Sequence, residues 1–175
     1  HFLNSTEIKS KVQQRSKELT IKAVKILDQR KSLVASQNLY EITPGKKFKQ
    51  PQNEQETVLF FNMLVATNET PFSEFEIHEY ASSQGIDAIC SYKLRSDDVL
   101  KKFVATEFEF ILSNFFKHGH PLQHAEIIIC WSIDKLYPEL KKGRDWLHEL
   151  EHQGRIIPVI EIMSFPNLKD QKNDW

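Results

Sequence analysis

The chain has 175 residues, of which 40% are hydrophobic and 11% aromatic, and this composition excludes a disordered segment and favours a packed domain. No apolar run reaches the roughly eighteen residues of a membrane-spanning helix, and the first residues lack the apolar stretch of a secretory signal. We therefore expect a soluble intracellular protein, cytoplasmic or nuclear, without a membrane partner. Because the chain starts at His1 rather than Met, we also expect other domains of a longer protein to be its partners.

The formal net charge of −1 combines two parts of opposite charge. Residues 1–49 contain eleven Lys or Arg and four acidic residues, a balance of +7, whereas residues 50–175 contain twelve and twenty, a balance of −8. A basic arm beside an acidic body favours phosphate binding by the arm and metal binding by the body, although a solvated amphipathic helix carries the same charges.

The first predicted element is a long amphipathic helix, from Thr6 to about Leu33, in which apolar residues recur at helical spacing between basic ones. The following residues 38–52 contain Pro44, Gly45 and Pro51 and predict a connecting loop. We therefore expect residues 1–45 to be a basic helical arm. The basic side chains expected to contact nucleic-acid phosphates are Lys9, Lys11, Arg15, Lys17 and Lys22.

A second helix is predicted from Glu54 to about Ala66, because Asn53 can cap its first turn and Glu56 stands where it completes a capping box. Beyond Pro71, apolar and polar residues alternate with the period of a half-buried strand. Three strands are expected to follow as a meander, at residues 72–80, 86–92 and 104–110.

The second half of the chain is predicted to continue with a helix, a fully covered strand, a charged helix and a last strand. In that last strand Pro158 indicates an edge or a bulge. Cys90 and Cys130 lie in apolar runs, so we expect buried free thiols rather than a disulfide. The predicted ranges are helix 111–116, strand 126–131, helix 138–153, strand 156–163 and a flexible tail, 166–175.

Acidic residues occupy unusual positions in the second and third predicted strands. Asp87 lies in the otherwise apolar run from Gly85 to Cys90, and Glu107 and Glu109 flank Phe108. In a strand Glu107 and Glu109 share one face. Because carboxylates crowded on a hydrophobic sheet repel one another, they favour a hard divalent cation with oxygen ligands.

The order of elements and the placement of these acids resemble the PD-(D/E)XK restriction-endonuclease-like superfamily over roughly residues 53–131. The resemblance implies an α/β fold, a restriction-endonuclease-like mixed β-sheet flanked by helices, with a nuclease-like core at residues 46–165. It implies Mg²⁺ or Mn²⁺ held by Asp87 and Glu107, and a glutamate of the first helix, Glu56 in preference to Glu54. Glu109 stands where the family has lysine, so it is expected to act as a metal ligand or general base.

The segment from Asn114 to Trp131 further resembles nuclease-like domains attached to larger ATPases or defence proteins. Among the loop histidines, His118 and His120 are the candidates for nucleic-acid binding, and one histidine of this loop is expected near the metal site, where it would orient a substrate phosphate. A zinc site formed by His118, His120 and His124 is an alternative interpretation of the same residues.

These observations predict a metal-dependent nuclease-like domain that cleaves phosphodiester bonds in nucleic acid, with DNA expected over RNA. The catalytic residues would be Asp87, Glu107, Glu109 and Glu56. The alternative is a catalytically inactive nuclease-fold module that binds DNA or mediates protein assembly, because the family's lysine is missing. A homo-oligomer is compatible with either function.

Overall fold

The computed structural model of the chain describes residues 5–81, 85–117, 124–143 and 145–169, in two units that divide after Asn38. The first unit is the predicted long helix, α1, Ser5–Ser36, which contains no Gly or Pro. Its large apolar side chains are exposed, among them Val12, Leu19 and Ile26. None of the helices in the described part of the chain is both long enough and apolar enough to cross a membrane.

Residues 39–49 form a β-hairpin rather than the predicted connecting loop. Strand β1, Leu39–Thr43, pairs antiparallel with β2, Lys46–Lys49, and Gly45 provides the left-handed backbone of the turn. The Tyr40 ring packs edge-on against Trp131 at a centroid distance of 5.4 Å. The hairpin therefore belongs to the second unit, which begins at Leu39 rather than near residue 45.

Helix α2, Glu54–Ala66, begins where the sequence predicts. The Asn53 side chain accepts a hydrogen bond from the Glu56 backbone N–H at 2.9 Å, and the Glu56 carboxylate accepts one from the backbone N–H of Gln52 at 2.8 Å. Two N–H groups that a helix start leaves without helical partners are thereby satisfied. The face that α2 buries carries Phe60, Phe61 and Leu64.

Seven strands form one mixed sheet in the order β3-β4-β5-β6-β9-β8-β7. The β3-β4-β5 and β9-β8-β7 neighbours are antiparallel, whereas β5-β6 and β6-β9 are parallel. Helix α3, Leu112–Lys117, lies between β5 and β6 in the chain. A mixed sheet flanked by helices, with an N-terminal basic helix, is confirmed. The strands are β3 Phe72–Tyr80, β4 Ala88–Leu94, β5 Lys101–Ile111, β6 Ile127–Ser132, β7 Leu140–Lys142, β8 Leu147–His152 and β9 Arg155–Glu161.

The predicted charged helix at 138–153 is wrong, because this interval contains β7 and β8. In β8 the buried residues His148 and Leu150 alternate with exposed Glu149 and Glu151, a period of two that the charge-rich composition concealed. At the end of β8, Gln153 and Gly154 both have positive φ, which is the conformation of a tight type I′ hairpin turn into β9.

Strand β9 is interior to the sheet, between β6 and β8, and not at an edge as Pro158 indicated. Its ladder with β6 begins at Val159, one residue after Pro158. The proline therefore precedes the stretch that pairs on that side, so the fold accommodates the missing N–H without a bulge.

The C-terminal part of the chain is ordered further than predicted. A 3-10 turn, Ile162–Ser164, leads into a short helix α4, Pro166–Lys169, whose Leu168 is fully buried. Leu168 is held by the core on the α2 side of the sheet. The first residues of the predicted flexible tail are thus part of the fold, and residues 170–175 lie outside the described residues.

The sheet is covered on both faces. The α2 side of the core includes Phe61, Phe108 and Trp131, whereas the α3 side includes Phe115 and Ile128. Cys90 and Cys130 are buried free thiols, one in each core, as predicted. Because the second half of β5 lies inside the sheet and is covered on both faces, side chains there are removed from water, and this decides the environment of its two glutamates.

Candidate functional site

Strand β5 places Glu107 and Glu109 on one face and Phe108 on the other. Phe108 packs against Phe61 of α2 at a centroid distance of 5.8 Å. The parallel register sets Glu107 beside Ile128 and Glu109 beside Cys130 on β6. The two glutamates are 0% and 1% exposed, so this part of the sheet face is not solvated.

Asp87 lies immediately before β4 and reaches the same part of β5. Its Oδ2 accepts a hydrogen bond from the backbone N–H of Phe108 at 2.8 Å, and the side chain is almost fully buried. Because Ala88 pairs with Thr106, the chain direction of β4 brings Asp87 level with Glu107. The structure therefore brings together the three acids that the sequence predicts as the site.

The pKa of Glu107 is raised to about 9, first by burial and then by the charge of Asp87, a hydrogen bond between the two carboxyl groups and the charges of Glu109 and Glu54. Two carboxyl groups hydrogen-bond to each other only when one keeps its proton. In the absence of a cation, Glu107 therefore holds a proton at neutral pH and donates it toward Asp87. The arrangement is a buried carboxyl pair that shares one proton.

The pKa of Glu109 is raised to about 8, first by burial and then by the charges of Glu54 and Asp87. A group with such a pKa is partly ionised slightly above neutral pH, the range in which a general base is most effective. Glu109 therefore supplies no positive charge at neutral pH and is suited by its pKa to accept a proton.

The helix acid that acts on this site is Glu54, whereas the sequence favoured Glu56. Glu56 is exposed, and its carboxylate accepts a hydrogen bond from the backbone N–H of Gln52, the residue before the N-cap. Glu54, at the first position of α2, raises the pKa of both Glu107 and Glu109. The signal was present in the sequence, because a residue already engaged in a cap is not available to a neighbouring site.

Replacing Glu56 by alanine is expected to lower the free energy of unfolding by about 1 kcal/mol, the typical worth of a capping interaction. Metal-dependent activity is expected to stay unchanged in this variant, whereas Glu54→Gln should alter activity and leave the cap intact. Urea unfolding and a cleavage assay on both variants measure this. Equal activity losses in the two variants would contradict the assignment.

Tyr80 is a further residue of the site that the sequence did not single out. Partial burial raises its pKa, as do the charges of Glu54 and Asp87, so its phenol lies near both acids. It ends β3 and pairs with Ala88, the residue after Asp87. The pairing of β3 with β4 brings Tyr80 to the site, and no local pattern in the sequence indicates this position.

Neither cysteine is suited to act as a nucleophile. Burial raises the pKa of the Cys90 thiol to about 11, and burial followed by the charges of Glu161 and Glu109 raises that of Cys130 further. A thiol that keeps its proton at neutral pH reacts slowly. The chemistry of the site is therefore carried by oxygen groups.

The carboxylates fit a hard divalent cation by donor type, since Mg²⁺ and Mn²⁺ prefer carboxylate oxygens and keep several waters. Across the described ranges, however, no group of three or more His, Cys, Asp or Glu side chains is gathered closely enough to hold a metal ion. Asp87 and Glu107, hydrogen-bonded to each other, are the pair that could hold one. Further acids would have to move toward the ion when it binds.

The remaining predicted binding residues are not placed with this site. His118 and His120 lie outside the described residues, and His124 is exposed, so the zinc interpretation stays a prediction. The basic residues of the arm are all exposed on α1, in the separate first unit. Their contact with phosphates also stays a prediction; they are Lys9, Lys11, Arg15, Lys17 and Lys22.

Comparison of the chain with protein-family models, with curated proteins and with solved structures finds no match. The functional conclusion therefore depends on the geometry and chemistry of the site itself.

Proposed function

We propose that the second unit is a metal-dependent nuclease-like domain that cleaves phosphodiester bonds in nucleic acid, with DNA as the preferred substrate, within a longer protein. The observation that carries the proposal is the burial of Asp87, immediately before β4, and of Glu107 and Glu109 on the neighbouring part of β5, with Glu54 of α2 near enough for its charge to raise the pKa of both glutamates. Such a concentration of acids is costly without a cation and is common at functional sites.

The connectivity around the site supports the proposal. The elements α2, β3, β4, β5, α3 and β6 follow one another in the chain. Their strands pair antiparallel, antiparallel and then parallel. This is the order of helix and strands that the resemblance to the PD-(D/E)XK superfamily implies, with Asp87 on the second strand and the glutamate pair on the third.

A bound Mg²⁺ or Mn²⁺ would stabilise the negative charge that develops on phosphate oxygens and would make hydroxide available from water. The Asp87 and Glu107 carboxylates would hold such an ion, and Glu107 would give up its shared proton on binding it. Glu109 would accept the proton of the attacking water. The buried surroundings keep these groups from bulk solvent, which strengthens each charge interaction.

Incubation of the full chain with supercoiled plasmid tests the proposal. Conversion to nicked or linear DNA is expected with Mg²⁺ or Mn²⁺ and not with a chelator, and it is expected to disappear in Asp87→Ala and Glu107→Ala. Cleavage that both variants retain would exclude these carboxylates as the site. A wild-type protein that binds DNA tightly without cleaving it would favour the second candidate.

That second candidate is a catalytically inactive nuclease-fold module for DNA binding or protein assembly. The observation in its favour is Glu109, which is 1% exposed and occupies the place of the family's lysine. A buried carboxyl group supplies no positive charge to a phosphate in the transition state. If the domain cleaves nucleic acid, the ability of Glu109 to accept a proton has to compensate for the missing positive charge.

Replacing Glu109 by lysine is expected to raise the rate of plasmid cleavage about 100-fold, by analogy with the effect of one transition-state donor. The new ammonium group would be compensated by Asp87 and Glu54 and would lower the pKa of Glu107. Glu109→Gln is the matched control, because it removes the carboxylate without adding charge. A lysine variant no faster than the glutamine variant would contradict this role for position 109.

A further inference from the structure

Phe103 in β5 has a large apolar ring that is 68% exposed to solvent. Its backbone φ is 54°, in the left-handed region that a bulky residue rarely adopts. Such strain persists only where neighbouring contacts maintain it, and it is concentrated at ligand-binding and catalytic sites. Sheet formation alone therefore does not explain the exposed ring and the left-handed backbone of Phe103.

Contacts with two neighbouring strands hold Phe103 in this conformation. Its backbone N–H donates to Ser91 Oγ at 3.3 Å, and Ser91 Oγ lies 2.7 Å from His78 Nε2. The His78 ring packs against the Phe103 ring with centroids 5.2 Å apart. Because Ser91 is buried, the network is anchored in the fold. The ring is thus positioned before a ligand arrives, which lowers the entropic cost of binding.

The Phe103 network lies on the face of the sheet that carries Glu107. Cys90 and Phe108 belong to the core on the α2 side, so their strand neighbours Ser91 and Glu107 point to the opposite face. Glu107 lies four positions after Phe103 in β5, about 13 Å away along the strand. The exposed Phe103 ring and the buried Glu107 carboxyl group therefore belong to one face of the sheet.

A cavity of about 610 Å³ adjoins the Phe103 ring. Its β3 side carries Glu74 and Glu76, which repel a phosphate, whereas Lys102 lies on the side of Phe103 and attracts one. An uncharged aromatic ring therefore suits the cavity, with the attached phosphate directed toward Lys102. Lining residues that bear on this argument are His78, Ser91, Lys102, Phe103, Glu74 and Glu76.

We propose that Phe103 is a stacking platform for one unpaired base of a single-stranded nucleic acid, with Lys102 beside the adjoining phosphate. The proposal rests on the proposed nuclease function for the nature of the ligand, and it adds the substrate class, a strand with unpaired bases. Stacking on an aromatic ring tolerates any base.

Fluorescence anisotropy with a short labelled oligonucleotide of mixed sequence, in chelator and therefore without cleavage, tests the proposal on the full chain. Phe103→Asn removes the ring but suits the left-handed backbone, so the fold is preserved. Phe103→Trp retains a stacking surface. The matched control is Val99→Ala, which removes an apolar side chain of similar exposure, 69%, just before β5.

Phe103→Asn is expected to weaken binding of the single strand about tenfold and to leave binding of the matching duplex unchanged. Phe103→Trp and Val99→Ala are expected to bind the single strand like the wild type. The proposal is overturned if Phe103→Asn binds the single strand as tightly as the wild type, if it loses single-strand and duplex binding equally, or if the wild type binds no single strand.

The two proposals fail in different assays. If the wild type shows no metal-dependent cleavage but Phe103→Asn still weakens its binding of the single strand, the nuclease function is excluded and Phe103 remains a base platform. Cleavage that depends on Asp87, together with unchanged single-strand binding by Phe103→Asn, would support the nuclease function and exclude Phe103 as a base platform.

Discussion

Asp87→Asn is expected to reduce Mg²⁺-dependent cleavage by a factor of about 10²–10³, the size of effect seen when one charge-stabilising group is removed from an active site. An asparagine oxygen can still accept the hydrogen bond from the Phe108 N–H, so the fold around β4 and β5 is preserved. The negative charge that attracts the cation is lost. A reduced rate of cleavage by this variant therefore reports on ion binding rather than on folding.

Glu149→Gln is the matched control for this prediction. Glu149 lies on β8 of the same sheet, and its side chain is exposed, so its charge is screened by solvent. Cleavage by this variant should equal that of the wild type. Equal rates for Asp87→Asn and the wild type, with both proteins folded, would show that Asp87 holds no catalytic ion.

In metal-free buffer the free energy of unfolding is expected to fall as the pH rises from about 5 to about 9. In the unfolded chain Glu107 and Glu109 ionise near the ordinary value of 4.5, whereas in the folded chain their pKa values are about 9 and about 8. Between these limits the folded state binds more protons than the unfolded state, so stability decreases with pH. Each group contributes at most about 1.4 kcal/mol per pH unit.

Glu107→Gln is expected to flatten this dependence and to be more stable than the wild type at about pH 8, because a neutral amide replaces a carboxyl group that resists ionisation. Denaturant unfolding at a series of pH values measures both effects. A wild-type stability that rises with pH over this range, or a variant with the same slope as the wild type, would contradict the assignment of the proton to Glu107.

Added Mg²⁺ is expected to change the same curve. The ion competes with the shared proton of Asp87 and Glu107, so its stabilising effect should be larger at about pH 8.5 than at about pH 6. The increase in Tm on adding Mg²⁺ at the two pH values measures this. The Glu107→Gln variant should show a smaller increase in Tm on adding Mg²⁺ at both pH values.

Much of the arrangement around the site follows from short-range patterns in the sequence. Alternation predicted β3 at Phe72–Tyr80 and placed Glu107 and Glu109 on one face of β5, because side-chain direction in a strand depends only on its period of two. The capping residues predicted the start of α2 at Glu54 for an equally local reason. The charge-rich β8 was mistaken for a helix because composition was given more weight than period.

The environment of the acids could not be predicted in this way. Glu107 is buried because β6 and the core around α3 cover the second face of β5, and that packing depends on residues distant in the chain. The proximity of Glu54 and Tyr80 to Asp87 likewise depends on how α2 and β3 meet β4. The left-handed backbone of Phe103 has no signal in its sequence neighbourhood, since glycine and asparagine are the residues that usually indicate one.

Diffraction from crystals soaked in Mn²⁺ at about pH 8, with data collected to reveal the anomalous signal of the metal, tests the central claim most directly. The account predicts a peak with one carboxylate oxygen each of Asp87 and Glu107 at about 2.1 Å, completed largely by water. A peak elsewhere, or no peak while the two carboxyl groups stay hydrogen-bonded to each other, would contradict it.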